Sequence, residues 1–269
     1  MRPPRHAESP RIAHGSRSGG SRVAFLGGSR VAFFGGSFDP PHWGHLTVAR
    51  AARDAFALDR VLFAPVGVQP LKPAGAAAGF ADRLAMTRLA IVGEPCFEVS
   101  ALDAPRGGSA ASNCTPNYTI DTLEGLRSTL AADSTLFCLL GADSFLALRH
   151  WRRAAEIPFV APLIVASRPG QPLDRLQDAL PPGLTLEPAP PDQRIAAVVE
   201  VRSFHLANPR GDRTPFYVLP GLHVEISASQ IRKEIHAQRQ TAPGSAAVAG
   251  DLVPAAVHDY IAGHNLYRS

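Results

Sequence analysis

Residues 31–45 constrain this chain more than any other stretch. The apolar run Val31-Ala32-Phe33-Phe34 leads into Gly35-Gly36-Ser37-Phe38-Asp39-Pro40-Pro41-His42-Trp43-Gly44-His45. The order is a short buried strand, a glycine turn, two histidines spaced His-x-Gly-His, and then a helix. An α/β protein presents anion-binding groups in this way, at the carboxyl end of its first strand. Gly35 and Gly36 let the backbone come close to a phosphate with N–H groups facing it. His42 and His45 bracket a helix start, whose positive end favours an anion. An imidazole there donates a hydrogen bond to a phosphate oxygen, more strongly when protonated.

Downstream, short apolar runs alternate with amphipathic segments. Strands are expected at Val61–Pro65, Cys96–Val99, Thr135–Leu140 and Phe159–Ala166. Helices are expected over Asp82–Val92, with Leu84, Leu89 and Ile91 inward, and over Thr119–Leu130, with Ile120, Leu123 and Leu126 on one face. A short helix is expected at Trp151–Ala155, another segment from Ser227 onward, and a last one from Pro254 to near Gly263. The rhythm implies an α/β fold, a doubly wound parallel sheet with helices on both faces and a small helical carboxyl-terminal part. Such sheets bind nucleotides outside the carboxyl ends of their strands. Ala74–Gly79, Arg106–Asn117 and Pro181–Asp192 read as loops, the last two long enough to be lids or insertions. Val198–Val201 reads as an extra strand.

The sequence pI of 9.3 would suggest a nucleic-acid partner until the charge is located. Residues 1–30 hold six arginines and one acid, a net +5 against +4 for the whole chain, so the remainder sums to −1. The basicity belongs to a tail, which speaks against a nucleic-acid-binding face. This tail reads as a disordered extension, 1–30, ahead of a single domain, 31–269, with an insertion of unassigned role at about 171–216. It ends in a tandem repeat, Gly-Gly-Ser-Arg-Val-Ala-Phe, at a period of eight residues. A small duplication or an upstream start codon explains it better than a repeat fold does. No secretory core is present; an organelle transit peptide is the alternative reading of the tail. No apolar run reaches the roughly 20 residues of a membrane span. The three cysteines form no CxxC pair, so a reducing, cytoplasmic setting is expected.

A second motif answers the first. Ile226-Ser227-Ala228-Ser229-Gln230-Ile231-Arg232 offers Ser227 or Ser229 as a helix cap, free N–H groups for phosphate, and Arg232 to reach the outer phosphates. Together the two motifs resemble the HxGH and ISxxxIR signatures of the nucleotidyltransferase superfamily, which implies a Rossmann-like fold. Asn117-Tyr118-Thr119-Ile120-Asp121-Thr122-Leu123 resembles the YTxDTL segment of bacterial nicotinate-nucleotide adenylyltransferases. Gly141-Ala142-Asp143-Ser144-Phe145, with Leu148 and Trp151, resembles their GAD…L..W segment. Ser167-Arg168-Pro169-Gly170 resembles their RPG turn, and Val257–Ile261 with Leu266-Tyr267-Arg268 their last helix and LY tail.

The resemblance implies adenylyl transfer from ATP to nicotinate mononucleotide, giving nicotinate adenine dinucleotide and pyrophosphate. It implies His42, His45 and Arg232 as the catalytic set. Gly35, Gly36, Ser37, Phe38, Lys72, Asp143, Arg168, Ser227 and Ser229 would bind the ATP phosphates and nucleotide. Tyr118, Thr119 and Trp151 would line the nicotinate pocket, with Trp151 stacked on the pyridine. For Asp143 a buried structural role is the alternative to one near the ribose or metal. Lys72 departs from the pattern, because Leu71 stands where a histidine often precedes the lysine. Magnesium would be held mainly by substrate phosphates, which fits the lack of an acidic cluster in the sequence. The rival readings are another acceptor within the superfamily, such as nicotinamide mononucleotide or pantetheine phosphate, and a nucleotide sensor without turnover. The sequence leaves the oligomeric state open.

Overall fold

The structure is a computed structural model and describes residues 28–72, 75–107, 114–167, 174–192, 195, 199–222, 226–241 and 251–268. In chain order its elements are β1 (Arg30–Gly36), α1 (Trp43–Phe56), β2 (Arg60–Pro65), α2 (Phe80–Ala90), β3 (Phe97–Val99), β4 (Arg106–Gly107) and β5 (Cys114–Thr115). Then follow α3 (Thr119–Thr129), β6 (Thr135–Gly141), α4 (Ala142–Leu146), a 3₁₀ turn at Leu148–His150, α5 (Ile157–Val160) and β7 (Leu163–Ala166). The chain continues through α6 (Asp174–Ala179), β8 (Thr185–Pro188), β9 (Arg202–Ala207), β10 (Arg213–Leu219), α7 (Ala228–Thr241) and α8 (Ala255–Gly263).

Eight strands form one sheet in the order β3-β2-β1-β6-β7-β10-β9-β8, and β4 and β5 make a separate two-stranded ribbon. The six strands from β3 to β10 pair in parallel. β9 and β8 join antiparallel at one edge. The central strands read as unbroken apolar runs because both of their faces are buried. In β6, Phe137 and Leu139 face one core while Leu136, Cys138 and Leu140 face the other. The first core takes α1, α2, α7 and α8 through Leu46, Met86, Ile231 and Val257. The second takes α3, α5 and α6 through Leu123, Ile157 and Leu176. Two-residue alternation in the strands and helical periodicity outside them thus produce the doubly wound form.

The strand order reverses between β1 and β6, since the chain steps from β1 to β2 and β3 on one side and resumes at β6 on the other. Ligands of open α/β sheets bind in the crevice at such a point. Here it lies where Gly36 ends β1 and Gly141 ends β6.

Several local expectations need correction. β1 begins at Arg30, which the sequence reading left in the tail. Residues 1–27, including the first repeat copy, lie outside the described residues. Trp151–Ala155 is a turn, not a helix, with Arg153 at a left-handed φ of 52°. Phe159–Ala166 is not one strand: α5 ends at Val160 and β7 begins only at Leu163, after Pro162. The inward face of α2 is Arg83, Met86, Thr87 and Ala90, while Leu84 and Leu89 are only part-buried. The 171–216 segment supplies α6, β8, β9 and the start of β10. The extra strand there is Arg202–Ala207; Val199–Val201 precede it outside the sheet, and Val198 lies outside the described residues. Among the described residues no helix is long and apolar enough to cross a membrane.

Candidate active site

A cleft of about 650 Å³ opens over the β1–β6 switch point. It is lined by Gly35 to Asp39, His42, His45, Lys72, Tyr118, Thr119, Asp143, Trp151, Ser227, Ser229 and Arg232. Every site residue expected from sequence meets there except Arg168, which lies outside the described residues. The cleft has two chemically different ends.

The first end is cationic and donor-rich. His42 stands at the amino-terminal cap of α1, and His45 follows one turn into it. The backbone N–H of His42 donates to His45 Nδ1 at 3.2 Å. With Nδ1 occupied as acceptor, the neutral imidazole carries its proton on Nε2 and keeps that N–H as a donor. The His45 ring is walled by Phe38 at 4.9 Å, Phe34 at 6.1 Å and His42 at 3.8 Å between centroids. Burial, and then the neighbouring His42 charge, hold it well below its ordinary value of 6.5. His45 is therefore a neutral donor at pH 7, so the stronger, protonated form of that donation is not the one the fold favours. Phe38 is 1% exposed with a φ of 48°, and its ring goes into the core against Phe34 and Phe63. It supports the histidine rather than presenting a side chain to ligand.

Arg232 reaches the same end from α7. Its Nη1 donates to the Asp39 carbonyl at 2.6 Å and its Nη2 to Ser229 Oγ at 3.2 Å. The choice between the two candidate caps is resolved: Ser227 Oγ accepts the Gln230 N–H at 3.2 Å and caps α7, while Ser229 orients Arg232. Lys72 Nζ donates to Ser37 Oγ at 3.2 Å, and Ser37 in turn donates to Gln69 Oε1 at 2.9 Å. The lysine therefore lies beside the glycine turn even without a preceding histidine.

The second end is aromatic. Tyr118 caps α3, Thr119 is its first residue, and both are part-buried. Trp151 is part-buried against the second core, just past the 3₁₀ turn. The Arg152 guanidinium lies 4.6 Å over the Tyr118 ring and 3.7 Å from Asp121. Asp143 is exposed in the first turn of α4, which rules out the buried structural alternative.

Sequence reasoning passed over several residues that frame the cleft. Buried Asn117 ties α3 to the loop after β2: its N–H donates to the Val68 carbonyl and its Oδ1 accepts the Val68 N–H, both at 3.0 Å. Asp103, also buried, accepts the Thr122 hydroxyl, and burial pushes its carboxyl up. Gly67 packs so tightly here that a Cβ would lie 2.5 Å from Pro105 N, so only glycine fits. Asp39, Arg83 and Tyr267 were missed as well. Tyr118 and Asn117 are adjacent in a recognised segment, but nothing local in the sequence links Asp39 to a tyrosine 228 residues away.

Among the described residues no group of three or more His, Cys, Asp or Glu side chains could hold a metal ion.

The sequence profile of the cytidylyltransferase-like family matches residues 33–234. A probable nicotinate-nucleotide adenylyltransferase of Citrifermentans bemidjiense is 34% identical over 231 residues, covering 86% of this chain and 94% of its own length. One from a Roseiflexus species is 34% identical over 232 residues, with the same coverage of 86% and 94%. Among solved structures, the fold is similar to Plasmodium falciparum nicotinic acid mononucleotide adenylyltransferase complexed with NaAD. The TM-score is 0.61 at 16% identity, covering 89% of this chain and 97% of that one.

Proposed function

The chain belongs to the cytidylyltransferase-like family and, within it, to the nicotinate-nucleotide adenylyltransferases, and on that premise we infer that it transfers the adenylyl group of ATP to nicotinate mononucleotide. The products are nicotinate adenine dinucleotide and pyrophosphate, and the reaction is a step of NAD biosynthesis. The carrying observation is the cleft itself, which joins a cationic, donor-rich end to an aromatic end over the switch point.

A 5′-phosphate oxygen of nicotinate mononucleotide attacks the α-phosphorus of ATP. The new P–O bond forms as the bond to the bridging oxygen breaks, and the electron pair leaves with pyrophosphate. The attacking phosphate is already anionic, so no general base and no covalent enzyme intermediate is needed. Catalysis is alignment of two anions and stabilisation of charge growing on the α-phosphate and leaving group. His45, neutral with its N–H on Nε2, donates to the α-phosphate region, and His42 works beside it. Donation from a neutral ring needs no proton transfer, so its strength does not change through neutral pH. Arg232 and Lys72 hold the leaving pyrophosphate. Gly35, Gly36 and Ser37 border the triphosphate, Ser227 and Ser229 border it from α7, and Asp143 lies toward the ribose. Tyr118, Thr119 and Trp151 receive the pyridine ring. Magnesium bound to the ATP phosphates would supply charge neutralisation, with Lys72, Arg232 and the N–H groups of the glycine turn holding those phosphates. The chain from Arg30 onward acts as one catalytic domain, in the cytoplasm, without a nucleic-acid partner.

The test offers nicotinate mononucleotide and nicotinamide mononucleotide in parallel, with ATP and magnesium, and identifies the dinucleotide formed. Dinucleotide from the acid form, in clear preference to the amide, supports the reading. Equal use of both would make the enzyme dual-specific, and no dinucleotide from either would remove the assignment.

A further inference from the structure

The cationic end of the cleft is assembled from separate stretches of chain, and Asp39 contacts three of them. Asp39, 4% exposed, accepts the Ala77 N–H at Oδ2 (2.7 Å) and the Ala78 N–H at Oδ1 (3.1 Å). Its Oδ1 also accepts the hydroxyl of Tyr267, in the carboxyl-terminal tail, at 2.8 Å. Its backbone carbonyl receives Arg232 Nη1 at 2.6 Å, and that nitrogen lies 3.8 Å from Oδ2. Arg83, 2% exposed, closes the network by donating to the Ser37 carbonyl at 2.7 Å and the Ala78 carbonyl at 3.1 Å.

We propose that Asp39 is a positioning residue for the triphosphate site, and that the Tyr267 hydroxyl holds it in its working geometry; this rests on the ATP reading above. Ala77 and Ala78 belong to the loop that carries Lys72, and Arg232 belongs to α7, so Asp39 sets the spacing of two cations contributed by distant segments. A buried carboxylate keeps a fixed position only while its donors saturate it, and losing one donor is felt throughout the set. Tyr267 is 7% exposed, with its ring enclosed where its hydroxyl meets Asp39. Burial, and then the Asp39 charge, push its phenol well above the usual range, and it stays a donor at every physiological pH.

The carboxyl-terminal segment makes a second, comparable contact that lacks this consequence. Tyr260 on α8 donates to Asp82 Oδ1 at 3.0 Å, and neither residue lines the cleft. A tail that only fastened the fold would make the two hydroxyls equivalent.

The experiment compares Tyr267→Phe with Tyr260→Phe, by calorimetric titration with a non-hydrolysable ATP analogue and by KM for each substrate. Tyr267→Phe is expected to weaken the analogue and raise the ATP KM about tenfold, the scale of one hydrogen bond to a buried charge. The KM for nicotinate mononucleotide should stay within about twofold, and Tyr260→Phe should leave both unchanged. Asp39→Asn, which keeps the volume, should show the same split and serves if Tyr267→Phe does not fold. Unchanged analogue affinity in a folded Tyr267→Phe, or equal loss for both substrates, overturns the proposal. If the unmodified enzyme does not turn over nicotinate mononucleotide, the acceptor assignment fails while the analogue titration still reads Tyr267.

Discussion

The two ends of the cleft differ in how their ligand-facing side chains are supported. At the cationic end the residues behind the cations are buried: Asp39 and Arg83 are almost fully enclosed, and the His45 ring is walled by three others, while the outward bonds of Lys72 and Arg232 to Ser37 and Ser229 are exposed. At the aromatic end buried Asn117 and Asp103 tie down the start of α3, while the outer contacts are open to water, with Arg152 53% exposed over Tyr118 and Arg153 pairing with Glu124 and Glu156 on the surface. Buried polar contacts are costly to leave unmade, while exposed ion pairs contribute little. The cationic end must meet a transition state in which charge develops at set positions, so a rigid donor array is useful there. The aromatic end has only to seat a flat ring, so the exposed pairs around it contribute little.

This contrast orders the expected effects. His45→Ala removes a preorganised donor and should lower kcat by about 100- to 1000-fold with little change in the KM for nicotinate mononucleotide. Steady-state kinetics checks this, and a tenfold loss or less would make the cationic end no more critical than the other. Arg232→Ala should reduce kcat/KM on the order of 100-fold. Arg232→Lys should recover little, because a single ammonium nitrogen cannot replace the planar fork whose Nη1 and Nη2 reach the Asp39 carbonyl and Ser229 Oγ separately. Trp151→Ala should raise the KM for nicotinate mononucleotide about tenfold and leave the ATP KM alone. Arg152→Ala should raise the same KM only about threefold, as an exposed cation–π contact implies.

The smallest effect is one of pH on stability. The folded state holds His45 below its ordinary value of 6.5. Its neutral-state contribution is therefore complete above about pH 6.5, and is lost as pH falls from there toward the folded value, because the unfolded chain binds the proton first. Thermal melts from pH 8 to 5 should show a steeper acid loss in the native chain than in His45→Gln. Equal slopes would mean that His45 is not held neutral by the fold.

What the sequence disclosed follows the same division between local and distant signals. The strands around Val31–Phe34, Val61–Pro65 and Thr135–Leu140 were legible because burial on both faces leaves an unbroken apolar run. The His42–His45 pair and Arg232 were legible because each lies in a compact motif that begins or caps a helix. β8 was not, since an edge strand of half-exposed residues beside prolines reads as loop, and the extra strand expected at Val198–Val201 fell short of β9, which begins at Arg202. Arg83 hid the inward face of α2, because a buried arginine reverses the pattern that periodicity looks for. The Asp39 network was illegible for a different reason. Each residue has an ordinary local reading, and only tertiary structure brings Tyr267 and Arg232 to a loop near the start of the fold.

The most direct test of the two-ended cleft is pyrophosphate release from ATP and nicotinate mononucleotide, run side by side for the native chain, Arg232→Ala and Trp151→Ala. The account predicts turnover by the native chain, loss of kcat with a raised ATP KM in Arg232→Ala, and a raised nicotinate mononucleotide KM alone in Trp151→Ala. No release by the native chain, or a rise of both KM values together in either variant, would contradict it.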